Sequence, residues 1–398
     1  MVEHPPSSST RLVHGGRDPE RYAGAVNPPP FRMSTALAPD FETFTRPNRK
    51  FEPDATTYGR FGTPTHRELE KLLTELEGGT DTVLLPAGLW AITTALFAVL
   101  ESGDELLMTD SVYGPTRYFC ETMLARMGIR TTYVAPTLAP DELAAKVGPA
   151  TKALFLESPG SMSFEVQDVP ALTGAAHAHG LTVLMDNTWA TPLYFKPLAH
   201  GVDLSIQAGT KYIVGHADAM LGAVTAGEAW ARPLRETMYQ MGNIAGSEET
   251  YLGLRGIRTL DLRLPKHWES SVLVAKWLET RPEVAQVLHP ALPSHPQHAI
   301  WARDFAGASG LFGFVLAEPQ DKAGLAAMVD NLTYFGLGSS WGGFESLIVP
   351  GYPAPGRSVS TLPGPGPLVR LHIGLEDPDD LIADLGAGLD RLPPAAGR

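Results

Sequence analysis

The sequence predicts an α/β fold in which a large, mostly parallel sheet domain is joined to a smaller α+β C-terminal domain. Short apolar strand candidates alternate with helical stretches between residues 80 and 207, as in a parallel sheet covered by helices on both faces. Beyond residue 258 the strand candidates become sparser, which indicates a second and smaller domain. We therefore divide the chain into an extended N-terminal arm (1–62), a sheet domain (63–257) and a C-terminal domain (258–398).

The elements follow from local signals along the chain. Thr63 is suited to a helix N-cap, Pro64 to the first turn, and the leucines that follow recur at helical spacing until Gly78 ends the helix. Strands are predicted at 82–85, 105–108, 130–135, 152–157, 181–186 and 203–207, with helices at 88–100, 115–127, 140–147 and 168–179. In the C-terminal domain, strands are predicted at 284–289, 310–317, 345–349 and 369–374, and helices at 258–279, 321–331 and 378–391. A proline-rich loop, 351–367, precedes the last strand.

Charge and cysteine content narrow the function classes. The 398 residues carry a net charge of −13, and this excess of carboxylates repels nucleic-acid phosphates and anionic lipid. We therefore predict neither a nucleic-acid partner nor a membrane partner. The only cysteine, Cys120, can form no internal disulfide or cysteine-based zinc site, and we predict no metal site. Since the N-terminal residues also lack the pattern of a secretory signal, we expect a cytoplasmic protein.

Polar residues follow two neighbouring strands at the edge where a parallel sheet binds its ligands. Asp186 comes directly after one apolar strand, and Thr210 and Lys211 follow the next. A lysine beside a strand-end carboxylate is what a pyridoxal 5'-phosphate site needs, because the amine condenses with the cofactor aldehyde and the carboxylate keeps the pyridine nitrogen protonated. On spacing alone, an ordinary ion pair at a strand end is the simpler explanation.

Other residues could hold the remaining parts of such a cofactor. Gly88 and Leu89 open a helix directly after a strand, and backbone N–H groups at a helix N-terminus bind anions. Tyr113, just past another strand, could stack on a ring, while Tyr58 and Arg60 of the arm could hold a phosphate. Taken singly, these residues fit an ordinary turn, a core tyrosine and solvated arm residues equally well.

Several strings together resemble the pyridoxal-phosphate-dependent Cys/Met-metabolism family, and within it the bacterial cystathionine β-lyases most closely. The strings are TRLVHGGRD (10–18), VNPPPFRMST (26–35), YGRFGTPT (58–65), SVYGPT (111–116), MDNTWATP (185–192), QAGTKYIVGHADAM (207–220), SSWGGFESL (339–347) and VRLHIGLED (369–377). They occur in the family's order along the chain. The resemblance implies the type I pyridoxal-phosphate fold, which is similar to that of aspartate aminotransferase.

The resemblance also implies a role for each candidate residue. Lys211 would be the Schiff-base lysine and proton shuttle, Asp186 the partner of the pyridine nitrogen, and Tyr113 the ring-stacking residue; Gly88, Leu89 and Thr210 would bind the phosphate. Tyr58 and Arg60 match residues that family members contribute to a neighbouring subunit, which implies a homo-oligomer, either a dimer or a tetramer of two dimers. Arg370 would hold the substrate α-carboxylate, with Ser340 and Trp341 lining that pocket. Lys211, Tyr113 and Tyr58 are the predicted catalytic residues.

The predicted reaction is β-elimination from a sulfur amino acid, with L-cystathionine cleaved to a thiol, pyruvate and ammonia. Three alternatives stay open. One is a γ-acting family member, such as a γ-lyase, a γ-synthase or a sulfhydrylase. Another is a specialised C–S lyase of secondary metabolism, which Ser339 would permit because close β-lyases often have a tyrosine at that position. The third is a cofactor-binding regulatory protein, although it would not need both Lys211 and Arg370.

Overall fold

The N-terminal arm contains two short helices, α1 (Ser8–His14) and α2 (Phe41–Thr45). In this computed structural model, which describes residues 6–52, 54–351 and 356–392, Leu12 of α1 is fully buried and packs near helix α3 (Pro64–Glu77). The prediction of an extended arm is therefore wrong for these segments. The side chains of Ser7 and Asp40 cap the N-termini of the two helices. These cap residues indicate helix starts, but the proline-rich composition of the arm favoured an extended segment in the sequence analysis.

Helix α3 begins and ends as the sequence predicts. The Thr63 backbone N–H donates to His66 Nδ1, which closes the first turn, and Gly78 ends the helix with a φ of 74°. The elements that follow are β1 (Asp81–Leu85), α4 (Gly88–Val99), β2 (Glu105–Thr109), α5 (Gly114–Phe119), β3 (Arg130–Val134), α6 (Pro140–Ala144), β4 (Thr151–Glu157), α7 (Val169–Ala178), β5 (Thr182–Asp186), α8 (Thr191–Tyr194), β6 (Leu204–Gln207) and β7 (Gly222–Ala226).

These seven strands form one sheet in the order β1-β7-β6-β5-β4-β2-β3. Strand β7 is antiparallel to both of its neighbours, and every other neighbouring pair is parallel. The six predicted strands are all present within about two residues. Strand β7 was not predicted, because its small residues, GAVTA, give a weak strand signal. The predicted helix at 115–127 is interrupted after α5 by a π-helical turn, Cys120–Leu124.

The chain leaves this sheet through α9 (Glu228–Met241), α10 (Ser247–Ile257) and α11 (Leu260–Leu278). It continues as β8 (Val284–Leu288), α12 (His298–Asp304), β9 (Leu311–Leu316), α13 (Lys322–Val329), β10 (Gly336–Leu337), β11 (Leu347–Pro350), β12 (Leu368–His372) and α14 (Pro378–Leu389). The second sheet has the order β10-β11-β12-β9-β8. The structure contains four elements in this half that the sequence analysis did not predict, namely α9, α10, α12 and the two-residue β10.

The two sheets share a hydrophobic core. Leu154 and Val183 of the first sheet belong to the same buried cluster as Leu311, Val315 and Leu368 of the second. This shared core holds β4 and β5 in a fixed relation to β12. None of the helices in the described part of the chain is both long enough and apolar enough to cross a membrane.

Candidate active site

A single pocket collects most of the predicted site residues from both halves of the chain. Its lining includes Gly88, Leu89, Tyr113, Asp186, Thr210, Lys211, Trp341 and Arg370. The first six follow or begin elements of the first sheet, whereas the last two belong to the C-terminal half. The ligand crevice at the carboxyl ends of the parallel strands is therefore closed by residues that approach from the second sheet.

Lys211 lies in the tight turn that follows β6, and its side chain points into the pocket. Its Nζ donates a hydrogen bond to Ser340 Oγ at 2.8 Å and lies 5.4 Å from the centre of the Trp341 ring. Burial and the nearby positive charge of Arg370 lower the pKa of Lys211 to about 8, although Asp186 opposes this shift. A substantial share of the amine is therefore neutral, and able to act as a base or nucleophile, near physiological pH.

Asp186 ends β5 and is held by Thr188, two residues further along the chain. Its Oδ1 accepts hydrogen bonds from the Thr188 hydroxyl at 2.6 Å and from the Thr188 backbone N–H at 3.0 Å. The same hydroxyl accepts from the Ala208 backbone N–H at 2.8 Å and so ties the end of β5 to the end of β6. Among the residues described, no hydrogen bond reaches Asp186 Oδ2. Burial raises the pKa of Asp186, against the effect of the Thr188 bonds, so this carboxylate would be stabilised by a cationic partner.

Glu157 is a site residue that the sequence analysis missed. It ends β4 directly opposite Asp186 in the strand register, lines the pocket, and accepts a hydrogen bond from the Tyr113 backbone N–H at 2.7 Å. Burial, followed by the adjacent Asp186 charge, raises its pKa well above the usual range. The signal that identified Asp186, an acidic residue directly after an apolar strand, was also present in the string LFLESPG.

The predicted phosphate-binding groups lie at the start of α4. The first N–H groups of a helix have no acceptor within it, so those of Gly88 and Leu89 are available to an anion. A Cβ atom on Gly88 would stand 2.5 Å from the Ala208 side chain, so glycine is what lets α4 begin this close to the end of β6. Thr210 is less available, since its hydroxyl donates to the Leu221 carbonyl at 3.1 Å and accepts from the Leu221 N–H.

Arg370, on β12, is the cationic group at the other end of the pocket. It is 9% exposed, and its Nη2 donates to the backbone carbonyls of Ser339 and Ser340 at 3.0 and 3.3 Å. Among the described residues, Nη1 and Nε make no hydrogen bond. The segment it contacts also packs on the lysine, because a Cβ on Gly342, whose φ is 83°, would come within 3.0 Å of the Lys211 Cα. The arginine and the lysine are therefore fixed relative to each other.

The chain is similar to known proteins along most of its length. The family described as "Cys/Met metabolism PLP-dependent enzyme" matches residues 9–390. The chain belongs to this family. It is 44% identical to cystathionine beta-lyase MetC of Escherichia coli and 42% identical to the cystathionine beta-lyase of Salmonella typhimurium, in each case over 96% of this chain and 98% of the relative. It also matches a crystal structure of cystathionine gamma synthase from Xanthomonas oryzae in complex with cystathionine, with a TM-score of 0.88, 33% identity, and 98% and 99% of the two chains covered.

The pocket of this PLP-dependent family member suits the cofactor. Lys211 offers an amine of lowered pKa, Asp186 has an oxygen with no partner among the described residues, and α4 offers free N–H groups for a phosphate. Tyr113 presents a side chain that is 42% exposed in the pocket, as a stacking ring requires. These donors, acceptors and rings are the ones that pyridoxal 5'-phosphate needs.

Three predicted residues do not line this pocket. One is Ser340, although its hydroxyl accepts the hydrogen bond from Lys211; the others are Tyr58 and Arg60 of the arm. The Tyr58 side chain is 43% exposed, and Arg60 Nη1 donates to the Tyr239 carbonyl of the same chain at 2.5 Å. Neither residue lines the pocket around Lys211. A role at the active site therefore requires that they serve a different copy of the chain.

Proposed function

We propose that this PLP-dependent enzyme is a carbon–sulfur β-lyase that cleaves L-cystathionine to homocysteine, pyruvate and ammonia. The observation that carries the proposal is the single pocket in which Lys211, Asp186 and Arg370 converge. A proton-moving amine, a cofactor-orienting carboxylate and a carboxylate-binding guanidinium are the groups that elimination from an α-amino acid requires. The similarity to proteins named cystathionine beta-lyase supports this choice of substrate.

Arg370 would bind the α-carboxylate of the substrate. Its planar guanidinium is oriented by the Ser339 and Ser340 carbonyls, which occupy Nη2 and leave the other nitrogens to form bonds with a carboxylate. Because the surrounding pocket is largely buried, this charge-assisted contact is only weakly screened. The substrate would thus be held by the group that every α-amino acid shares.

Lys211 would remove the proton from the substrate Cα. The bound cofactor supplies an electron sink for the pair left on that carbon. The Ser340 hydroxyl, at 2.8 Å from Nζ, would orient the amine, and the lowered pKa keeps part of it neutral as a base. The same amine, once protonated, is positioned to deliver the proton to the departing sulfur.

Trp341 would favour β-elimination over γ-elimination. Breaking a γ-bond first requires loss of a Cβ proton, which needs a base and room to reposition the chain. The indole of Trp341 packs edge-on against buried Tyr212, with ring centroids 5.5 Å apart, and lies beside Lys211. A ring fixed in this way restricts the substrate chain and holds the Cβ–S bond in one orientation.

The product pair tests this assignment. Purified holoenzyme given L-cystathionine is expected to release pyruvate and homocysteine, identified by mass spectrometry, because the bond at Cβ is the one aligned. A Lys211→Ala preparation supplies the blank for contaminating lyases. A predominance of 2-oxobutyrate and cysteine would assign the enzyme to the γ-acting branch instead.

The active unit would be a homo-oligomer, a dimer or a tetramer of two dimers. The arm carries apolar side chains that a monomer leaves in water, with Leu37, Phe41 and Phe44 exposed to 90%, 80% and 71%. The exposed Tyr58 and Arg60 follow them in sequence and lie outside the pocket of their own chain. Docking of the arm on a second copy would bury the apolar residues and carry Tyr58 and Arg60 to the phosphate of that copy's cofactor.

Subunit mixing tests the shared site. Arg60→Ala and Lys211→Ala subunits, each inactive as homo-oligomers, are expected to regain activity when mixed and allowed to exchange. A hybrid dimer then contains one site with both residues intact, so recovery approaches about a quarter of wild-type activity for random pairing of equal amounts. Exchange is verified by native mass spectrometry. Confirmed hybrids without activity would contradict the shared site.

We also infer a cytoplasmic location. The single cysteine, Cys120, is buried, cannot pair within the chain, and has its pKa raised to about 12 by burial. A chain without an internal disulfide is typical of a reducing compartment.

A further inference from the structure

One wall of the pocket is formed by the segment Gly160–Phe164, which follows β4. Gly160, Ser161, Met162 and Phe164 all line the pocket. Met162 and Phe164 have φ values of 67° and 59°, a left-handed conformation that residues other than glycine adopt only when their surroundings hold them there. The position of this wall therefore depends on the contacts that fix it from outside.

Hydrogen bonds within the wall and to residues close to it hold part of its conformation. The Gly160 N–H donates to the Glu165 carbonyl at 2.9 Å, and the Phe164 N–H donates to the Gly160 carbonyl at 3.0 Å. The Ser161 N–H donates to the Ser111 carbonyl at 2.9 Å. The Ser163 hydroxyl, on the side away from the pocket lining, donates to the Glu165 carboxylate at 2.6 Å.

The outermost contact comes from the C-terminal half of the chain. Arg357 lies between β11 and β12, and its side chain is only 6% exposed. Its Nη2 donates to the Ser163 hydroxyl and to Glu165 Oε1, the latter at 3.2 Å. A buried guanidinium, which is costly to leave unpaired, is thus satisfied by the two side chains that hold the wall.

Arg357 begins a segment that we call the strap, residues 357–360, and this segment is held in place by Asp110. The Asp110 side chain, fully buried after β2, accepts hydrogen bonds from the backbone N–H groups of Ser358, Val359 and Ser360 at 2.9 to 3.1 Å. It also accepts from the Ser360 hydroxyl at 2.6 Å. Burial alone would raise the pKa of Asp110, but these bonds outweigh it and lower the pKa to about 2, so the anchor stays ionised at physiological pH.

We propose that Arg357 is a specificity-determining positioning residue, which fixes the Gly160–Phe164 wall and thereby limits the size of the substrate that the pocket accepts. This inference rests on the proposed function as a C–S lyase. Arg357 does not line the pocket, and its charge is neutralised by Glu165, so it acts through the wall and not by contact with the substrate. Lys211 and Arg370 would hold the amino-acid end of every substrate, so a displaced wall is expected to matter most for substrates that fill more of the pocket.

The test compares two substrates that differ only beyond the sulfur, L-cystathionine and S-methyl-L-cysteine. In Arg357→Ala, the KM for L-cystathionine is expected to rise about tenfold, whereas kcat for both substrates and the KM for S-methyl-L-cysteine change less than about twofold. Arg357→Lys keeps the positive charge but lacks the planar guanidinium. Its KM for L-cystathionine is expected to lie between those of the wild type and Arg357→Ala. Arg303→Ala is the matched control, because it removes another ion pair between the two halves, Arg303–Asp168, neither of whose residues lines the pocket.

Glu165→Gln provides a second route if Arg357→Ala does not fold, since it removes the charge partner at nearly constant volume. It should change the ratio of the two kcat/KM values in the same direction. Amide hydrogen exchange at residues 160–165 is expected to accelerate in both wall variants and not in Arg303→Ala. Equal losses for both substrates, or unchanged exchange at the wall, would overturn the inference. A wild-type enzyme that releases no thiol from either substrate would instead overturn the proposed function.

Discussion

Lys211→Ala is expected to lose at least about a thousandfold in kcat, because it removes the base that takes the Cα proton together with the amine that attaches the cofactor. The pocket offers no substitute, since Lys211 is the only lysine among its lining residues. The measurement is keto-acid release from L-cystathionine under saturating cofactor. Circular dichroism of the variant should match that of the wild type, because the side chain contributes one hydrogen bond to Ser340.

A mass measurement tests, without relying on turnover, whether Lys211 is the lysine that attaches the cofactor. Borohydride treatment of wild-type holoenzyme should leave the added pyridoxyl mass on the peptide that contains Lys211. Lys152→Ala serves as the control, since Lys152 is exposed and lies outside the pocket, and it should be labelled and active like the wild type. A pyridoxyl label on a different lysine would disprove the assignment.

Arg370→Ala is expected to raise KM for every amino-acid substrate by ten- to a hundredfold. A charge-assisted hydrogen bond contributes about 1.5–3 kcal/mol, and the α-carboxylate would lose such contacts in a largely buried pocket. Since S-methyl-L-cysteine and L-cystathionine share this carboxylate, their KM values should rise together. This rise in both KM values distinguishes Arg370→Ala from Arg357→Ala, for which only the KM for the longer substrate, L-cystathionine, is expected to rise.

The conservative variant sharpens the interpretation of Arg370. Arg370→Lys keeps a positive charge but cannot donate to two backbone carbonyls and a carboxylate in one plane, so partial recovery of KM is expected. Unchanged KM in Arg370→Ala would mean that the carboxylate is held elsewhere.

The large sheet and several residues that line the pocket could be predicted because their signals are local. Strand signals of four to seven residues mark β1 to β6, and polar residues at or just past the end of a strand mark Asp186 and Lys211. Strand β7 could not be predicted in this way. It is held by its antiparallel pairing with β1 and β6 on either side, and Gly222 and Ala223 give no periodic signal of their own.

The contacts that join the two halves of the site were beyond the reach of sequence patterns. Ser340 lies 129 residues from Lys211, and the Asp110 anchor lies about 250 residues from the strap. No spacing rule connects positions so far apart, because the pairing depends on how the two sheets dock. The resemblance to a known family identified Ser340 and Arg370, but neither Asp110 nor Arg357 was identified as a functional residue.

The division of the pocket between the two sheets has an evolutionary consequence. The groups proposed to act on the cofactor, at Asp186 and Lys211, follow the first sheet, whereas Trp341, Arg357 and Arg370 belong to the second half of the chain. With these proposed roles, mutations in the latter half are expected to alter which substrate is accepted while Asp186 and Lys211 remain unchanged. A gene of this organisation can explore new substrates by drift or recombination in its 3' portion, with the inherited chemistry preserved upstream.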